Sequence, residues 1–220
     1  NKKTYIVSTK KLLPNQKQDL LDANIFLIEE NFIETKIKKF ELNKLNENLI
    51  FTSQNAVHSI LQHPKCEELK GKSVFCVGLK TKDLLAENGF DVIAYTGYAA
   101  DLAEIISLIY SSESFTFLSG NLRRDILPNT LKENGITFNE IEVYETIITS
   151  KKMTSKQDGI LFFSPSGVES YFKLNSIKDE TCFCIGETTA EALENKKVKN
   201  IIIAEKPSVE SVIAQVIEYY

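Results

Sequence analysis

The residues of this chain best suited to chemistry are hydroxyls, glycines and one phenol, rather than histidines, thiols or paired carboxylates. Small polar residues and glycines recur in short groups: Thr52-Ser53, Gly78, Thr96-Gly97, Ser119-Gly120-Asn121, Ser164-Pro165-Ser166-Gly167, and Gly186 followed by Thr188-Thr189. Each group follows a short apolar, strand-like run and precedes a helical pattern. A helix N-terminus there presents free backbone N–H groups and a positive dipole end, so it takes carboxylate or phosphate without needing lysines. Singly, each Ser or Thr reads as a plain helix cap. As a set, Ser53, Thr96, Ser119, Gly120, Asn121, Ser164, Ser166, Gly186, Thr188 and Thr189 read as an anion-binding rim. Arg123-Arg124 supplies either a guanidinium for bidentate carboxylate binding or a solvated pair at a helix start. Tyr144 is either a proton or hydrogen-bond donor or an aromatic packed beside an extended segment.

Other chemistries find little support. No loop has the Walker A or GxGxxG pattern, so no nucleotide cofactor is indicated, and no GxSxG is present. His58 and His63 stand five apart on one predicted helix, a spacing that does not stack them for a shared metal. Of the four cysteines, Cys66, Cys76, Cys182 and Cys184, none forms CxxC. Cys182 and Cys184 alternate along a predicted strand and face the same side, so they read as buried thiols, and no metal site is expected. A net charge of -4 argues against general nucleic-acid affinity, while leaving room for a local anion site. No apolar run approaches the ~20 residues of a membrane span. Asn1-Lys2-Lys3 leads straight into TYIVS, so neither a signal peptide nor membrane association is expected.

The elements that must position these residues alternate. Continuous apolar runs at Tyr5–Ser8, Leu49–Thr52, Val74–Val77, Thr116–Leu118, Ile160–Phe163 and Cys182–Ile185 are the mark of parallel strands covered on both faces. Helical stretches separate them, with Gly89 and Gly135 as C′ residues. The fold class expected is doubly wound parallel α/β. The chain also repeats itself: LIFTSQNAVHS (49–59) returns as ILFFSPSGVES (160–170), and VFCVGLKTKDLL (74–85) as CFCIGETTAEAL (182–193). Thr4–Thr9 matches Thr116–Asn121, and Ile33-Glu34-Thr35 matches Tyr144-Glu145-Thr146, more weakly. A period of about half the chain means two similar lobes, with a ligand expected between them. The segments NFIETKIKKFEL (31–42) and FNEIEVYETIIT (138–149) alternate over long extended runs and are expected to pair as a two-stranded ladder joining the lobes. The expected division is a discontinuous lobe of 1–35 plus 147–220, an inserted lobe of 40–143, and linkers at 36–39 and 144–146. The simpler division is two consecutive lobes split near residue 112.

These motifs, in this order, resemble the uroporphyrinogen-III synthase family. The resemblance is carried by LIFTSQNAV (49–57), VFCVG with Thr81, FLSGNLRRDILPNTLKENG (117–135), VYET (143–146), LFFSPSGVESYF (161–172) and CIGETTAEAL (184–193). It implies a cytoplasmic, monomeric, cofactor-free lyase of tetrapyrrole synthesis with two α/β lobes and a two-stranded joint. The implied substrate is hydroxymethylbilane, a linear tetrapyrrole with eight carboxylates, received by transient hand-over from hydroxymethylbilane synthase. The implied reaction expels the ring A hydroxyl as water to give an azafulvene cation. Ring D then attacks through its substituted carbon, and the spiro intermediate fragments and recloses with ring D inverted. Orientation is the main demand, because unguided closure gives isomer I. The resemblance assigns Tyr144 to assisting hydroxyl departure, and puts Ser53, Ser119, Gly120, Asn121, Ser164, Ser166, Thr188 and Thr189 on the substrate-lined surface. Two departures stand out. Glu187 replaces a frequent Pro and is expected to point outward, away from an anionic substrate, and Lys80-Thr81-Lys82 replaces a more frequent Thr-Ala.

Two rivals share parts of this pattern. A non-catalytic two-lobed binding protein for an anionic metabolite would tolerate Tyr144→Phe. A pair of receiver-like domains needs acidic residues after the first and third strands, where this chain has Ser8-Thr9-Lys10 and Ser53.

Overall fold

The computed structural model describes residues 2–220. In chain order the elements begin with β1 (Thr4–Ser8), α1 (Pro14–Asp22), β2 (Ile25–Glu29), β3 (Ile33–Ile37) and β4 (Asn48–Phe51). They continue with α2 (Gln54–Leu61), α3 (Cys66–Leu69), β5 (Ser73–Val77), α4 (Leu79–Glu87), β6 (Asp91–Thr96) and α5 (Ala99–Ile109). β7 (Ser114–Gly120), α6 (Ile126–Glu133) and β8 (Thr137–Ile148) follow. The chain closes with β9 (Gly159–Phe162), α7 (Pro165–Leu174), β10 (Thr181–Cys184), α8 (Glu187–Asn195), β11 (Ile201–Ile203) and α9 (Val209–Tyr219). Local chemistry sets many boundaries. Pro14 and Pro165 open α1 and α7, where a missing N–H costs nothing. Gly89 and Gly135 follow α4 and α6 with φ of 86° and 68°, the left-handed stop that glycine adopts most readily.

The chain forms two compact units: residues up to Glu34 with Ile147–Tyr220, and Thr35–Thr146. The first holds a five-stranded sheet ordered β11-β10-β9-β1-β2, and the second belongs to a six-stranded sheet ordered β3-β8-β7-β4-β5-β6. Neighbours within the five-stranded sheet, and from β8 to β6 in the other, are parallel. β3 and β8 form the expected hydrogen-bonded ladder, and the chain passes between units within these two strands. The sequence repeat equates β4 with β9, β5 with β10 and β7 with β1. Under that equivalence the orders β11-β10-β9-β1-β2 and β6-β5-β4-β7-β8 are the same. Each unit therefore combines the opening strands of one copy with the closing strands of the other, and residue 112 falls inside the second unit.

Both sheets are covered on both faces, which is why their strands read as unbroken apolar runs. In β4, Leu49 and Phe51 face a core closed by Ala56, Val57 and Ile60 of α2 and Leu85 of α4, while Ile50 faces Leu102 and Ile106 of α5 and Leu127 and Leu131 of α6. In β9, Ile160 and Phe162 face Val168, Tyr171, Ala190 and Leu193, while Leu161 faces Leu20, Val212 and Val216. Among the described residues, no helix is long and apolar enough to cross a membrane.

Three sequence expectations need correction. The extended run expected to Leu42 stops at Ile37. Leu42 enters the core with Phe40 and Leu45 packed beside it, and Asn46 is tied down by its N–H to Thr116 Oγ1 and its amide to Phe115 O. Packing and side-chain hydrogen bonds replace the strand there. The helix expected directly after Ser119-Gly120-Asn121 begins only at Ile126, with Asp125 at its N-cap position making no side-chain cap; Ser119 and Gly120 are the last residues of β7. α1 has no counterpart among the expected helices, because PNQKQDLLD buries only Gln16 and Leu20 and lacks an apolar stripe.

Candidate functional site

Parallel α/β sheets bind ligands at the carboxyl ends of their strands, where adjacent strands send their connections in opposite directions. In the second unit that point lies between β4 and β7, which pair in parallel. Three candidate residues meet there. Ser53 follows β4 and caps α2, its Oγ accepting from the Ala56 N–H at 3.3 Å. The same hydroxyl donates to the Tyr144 phenol at 3.0 Å. Tyr144 sits on β8, and β7 with Gly120 lies between β8 and β4, so the ring crosses the end of β7. A Cβ added at Gly120 would stand 2.4 Å from Tyr144 Cζ and 2.8 Å from its hydroxyl oxygen.

The backbone of β8 is shaped for this. Ser119 pairs with Glu142, but Gly120 pairs with Tyr144, so Val143 is an extra residue. Such a bulge re-aims the side chains that follow it, and Val143 and Tyr144 accordingly both pack on the same core cluster. Asn121 is not free to reach a ligand with its full amide: Oδ1 accepts from the Thr146 N–H at 2.7 Å and Nδ2 donates to the Thr146 carbonyl at 3.2 Å. Ser119 is buried within β7. Thr96 Oγ1 donates to the Tyr98 carbonyl, before α5.

Arg123 departs from its expected use as a substrate guanidinium. Its Nε and Nη2 form a fork onto Glu140, and Nη1 reaches Asp125 at 2.7 Å. The Glu140 hydrogen bonds, ahead of those to Asp125, raise its pKa further. A fork already filled by carboxylates of the protein has no face left for bidentate capture of another. Nothing in the spacing of residues 123, 125 and 140 signals this.

The first unit carries the matched positions. Ser164 caps α7 through the Gly167 N–H at 3.0 Å and pairs with Ser166 Oγ at 3.1 Å. Gly186 opens α8 and offers no side-chain cap, as Gly78 offers none to α4. Behind them Thr189 and Thr81 are buried in the first turns, and Thr188 is half-buried. Glu187 is exposed. Thr81 completes the symmetry and lies outside the expected set, although its match to Thr189 is legible in the repeat. Lys82 lies 4.6 Å from the centre of the Tyr95 ring, near the end of β6, a cation the sequence leaves open as surface charge.

The cysteines and His63 have other occupations. Cys182 and Cys184 share a core face as expected, and Cys76 is buried in the matching strand. Burial pushes Cys76 and Cys182 up to about 12 and Cys184 to about 11, and raises Cys66 as well. A thiol reagent at pH 8 is therefore expected to find no fast-reacting group in the native protein and four after denaturation, because the thiolate is the nucleophile; a rapid native equivalent would contradict this burial. His63 stacks on Phe40 at 4.9 Å, and its Nδ1 accepts from the Lys65 N–H.

Comparison with known proteins places these features in context. The family model described as "Uroporphyrinogen-III synthase HemD" matches residues 27–214. Uroporphyrinogen-III synthase of Chlorobaculum parvum is 28% identical over 195 residues, covering 77% of this chain and 79% of the relative. Its counterpart from Saccharomyces cerevisiae is 26% identical over 215 residues, covering 81% and 78%. Among solved structures, uroporphyrinogen-III synthetase from Helicobacter pylori superposes with a TM-score of 0.72 at 23% identity, over 99% of this chain and 100% of that one. A mutant uroporphyrinogen III synthase from the extremely thermophilic bacterium Thermus thermophilus also reaches 0.72, at 15% identity and 98% coverage of each chain. At these identities the two structures speak for the fold.

Proposed function

The chain belongs to the uroporphyrinogen-III synthase family, and from that premise we propose how its residues carry the family's reaction. The activity is cyclisation of hydroxymethylbilane to uroporphyrinogen III, a lyase step that loses water and inverts ring D. In our reading Tyr144 donates the proton that lets the ring A hydroxyl leave as water. The resulting azafulvene cation is attacked by the substituted carbon of ring D, and the spiro intermediate reopens and recloses inverted. Every proton in this sequence is moved by the substrate's own pyrroles, water or the phenol, so the chain's principal contribution is orientation.

The observation that supports the reading is the Tyr144 phenol laid across the strand end, its oxygen held by a neutral hydroxyl rather than by a carboxylate. The eight carboxylates of the substrate need donors. The openings of α4 and α8, both begun by glycine and lacking a side-chain cap, supply backbone N–H groups of the kind that hold carboxylate. Thr189→Ala is expected to raise KM roughly tenfold, the scale of one hydrogen bond to a charged group; steady-state kinetics at wild-type values would leave Thr189 as a buried core residue only.

We take the enzyme to act as a cytoplasmic monomer supplied by transient hand-over from hydroxymethylbilane synthase, since free substrate closes spontaneously to isomer I. The deciding experiment adds the purified protein to freshly generated hydroxymethylbilane, oxidises the products and separates porphyrin isomers. Predominant isomer III, formed faster than spontaneous closure, is the expected result. Isomer I alone at the spontaneous rate would reduce the chain to a two-unit binding protein for an anionic metabolite.

A further inference from the structure

We propose that Gly120 and Ser53 are positioning residues for the Tyr144 phenol, Gly120 as the bare backbone on which the ring lies and Ser53 as the donor that turns the phenolic proton outward. The proposal rests on the reading of Tyr144 as proton donor.

The glycines with positive φ are Gly78, Gly89 and Gly135; Gly120 is not among them, so its backbone makes no special demand. Space does. A Cβ there would lie 2.4 Å from Cζ, 2.6 Å from Cε2 and 2.8 Å from the hydroxyl oxygen of Tyr144. These distances are well inside contact, and the atom that would have to yield belongs to the phenol itself.

Ser53 addresses direction rather than place. Its oxygen accepts from the Ala56 N–H, and its one proton goes to the Tyr144 oxygen. The phenol therefore receives a hydrogen bond from the protein and keeps its own proton to donate elsewhere. A hydrogen bond received by the phenol oxygen also stabilises the phenolate left after proton transfer. The bulge at Val143 and the two hydrogen bonds between Asn121 and Thr146 hold β8 on either side of Tyr144, so the ring has a rigid mount.

Three variants and one background test this. Gly120→Ala is expected to lower kcat about 10²-fold with little change in KM, because displacement of an aligned group by about an ångström has that scale of effect. Ser53→Gly keeps the helix start at small cost but removes the donor, and is expected to lower kcat roughly tenfold. Ser53→Thr retains both cap and donor and is expected to restore most of the rate. In the Tyr144→Phe background, Gly120→Ala and Ser53→Gly are expected to change kcat by no more than about twofold, since nothing remains to position. If Tyr144→Phe itself leaves turnover unchanged, the reading of Tyr144 fails and the proposal falls with it. If Tyr144→Phe is slow while Ser53→Gly and Gly120→Ala keep the wild-type rate, the reading stands and the positioning role is overturned. Equal losses in both backgrounds, or a failure of Ser53→Thr to rescue, would assign these residues a purely structural role. Should Gly120→Ala not fold, the Ser53 pair decides the matter alone.

Discussion

Tyr144→Phe is expected to lower the rate of uroporphyrinogen III formation by about 10²-fold or more, the scale contributed by a positioned acid. The substitution removes one oxygen and leaves the ring that packs over Gly120 and against the Val143 cluster. The Ser53 hydroxyl loses its acceptor, but Ser53 is only half-buried and water replaces the bond, so stability changes by less than about 1 kcal/mol. The effect is therefore expected in kcat, with the unfolding midpoint nearly unmoved. Product composition supplies a second readout. Spontaneous closure competes with a slowed enzyme, so isomer I accumulates as isomer III falls. A variant with native kcat and native isomer ratio would remove Tyr144 from the mechanism.

Truncation of the matched phenylalanines Phe51 and Phe162 is expected to have the largest effect on stability. Both are fully buried at the last position of their strands, β4 and β9. Phe51 packs in the second unit, with its ring 6.2 Å from that of Phe90; Phe162 packs in the first, 5.5 Å from Tyr171. Loss of such a side chain costs about 3–5 kcal/mol, the transfer of the ring plus the cavity left behind, against a typical total of about 5–15 kcal/mol. Because the two side chains belong to different cores, Phe51→Ala is expected to bring forward only the unfolding of the second unit, and Phe162→Ala only that of the first. Denaturant titration followed by hydrogen exchange resolves which amides are lost early. If either substitution shifts all amides together, the units unfold as one and the expectation of separate transitions fails.

Much of the architecture was legible because it depends on local pattern. β4 and β9 announce themselves as LIF and ILF, runs apolar at consecutive positions because both faces are covered. Gly89 and Gly135 end α4 and α6 for reasons of backbone sterics that hold in any context. The helix caps at Ser53 and Ser164 were readable in the same way, and each hydroxyl does accept the N–H that capping requires. Where local pattern misled, a distant partner was responsible. The run after Ile37 alternates like a strand, yet Leu42 and Asn46 are claimed by the core and by Thr116. Arg123 looks available until Glu140 is brought to it, and Asn121 looks like a loop ligand until Thr146 is.

The sequence by itself determined the doubly wound parallel class, the duplication and the residues at the strand ends, since each follows from apolar periodicity, turn chemistry or self-similarity over a short window. Only the tertiary structure decided that β7 lies between β8 and β4, so that Tyr144 crosses Gly120 to meet Ser53, 91 residues away in the chain. Strand order is a choice among non-local pairings whose apolar runs are nearly interchangeable. It is settled by the summed packing of whole faces rather than by any one segment, and it turns a glycine, a serine and a tyrosine into one site.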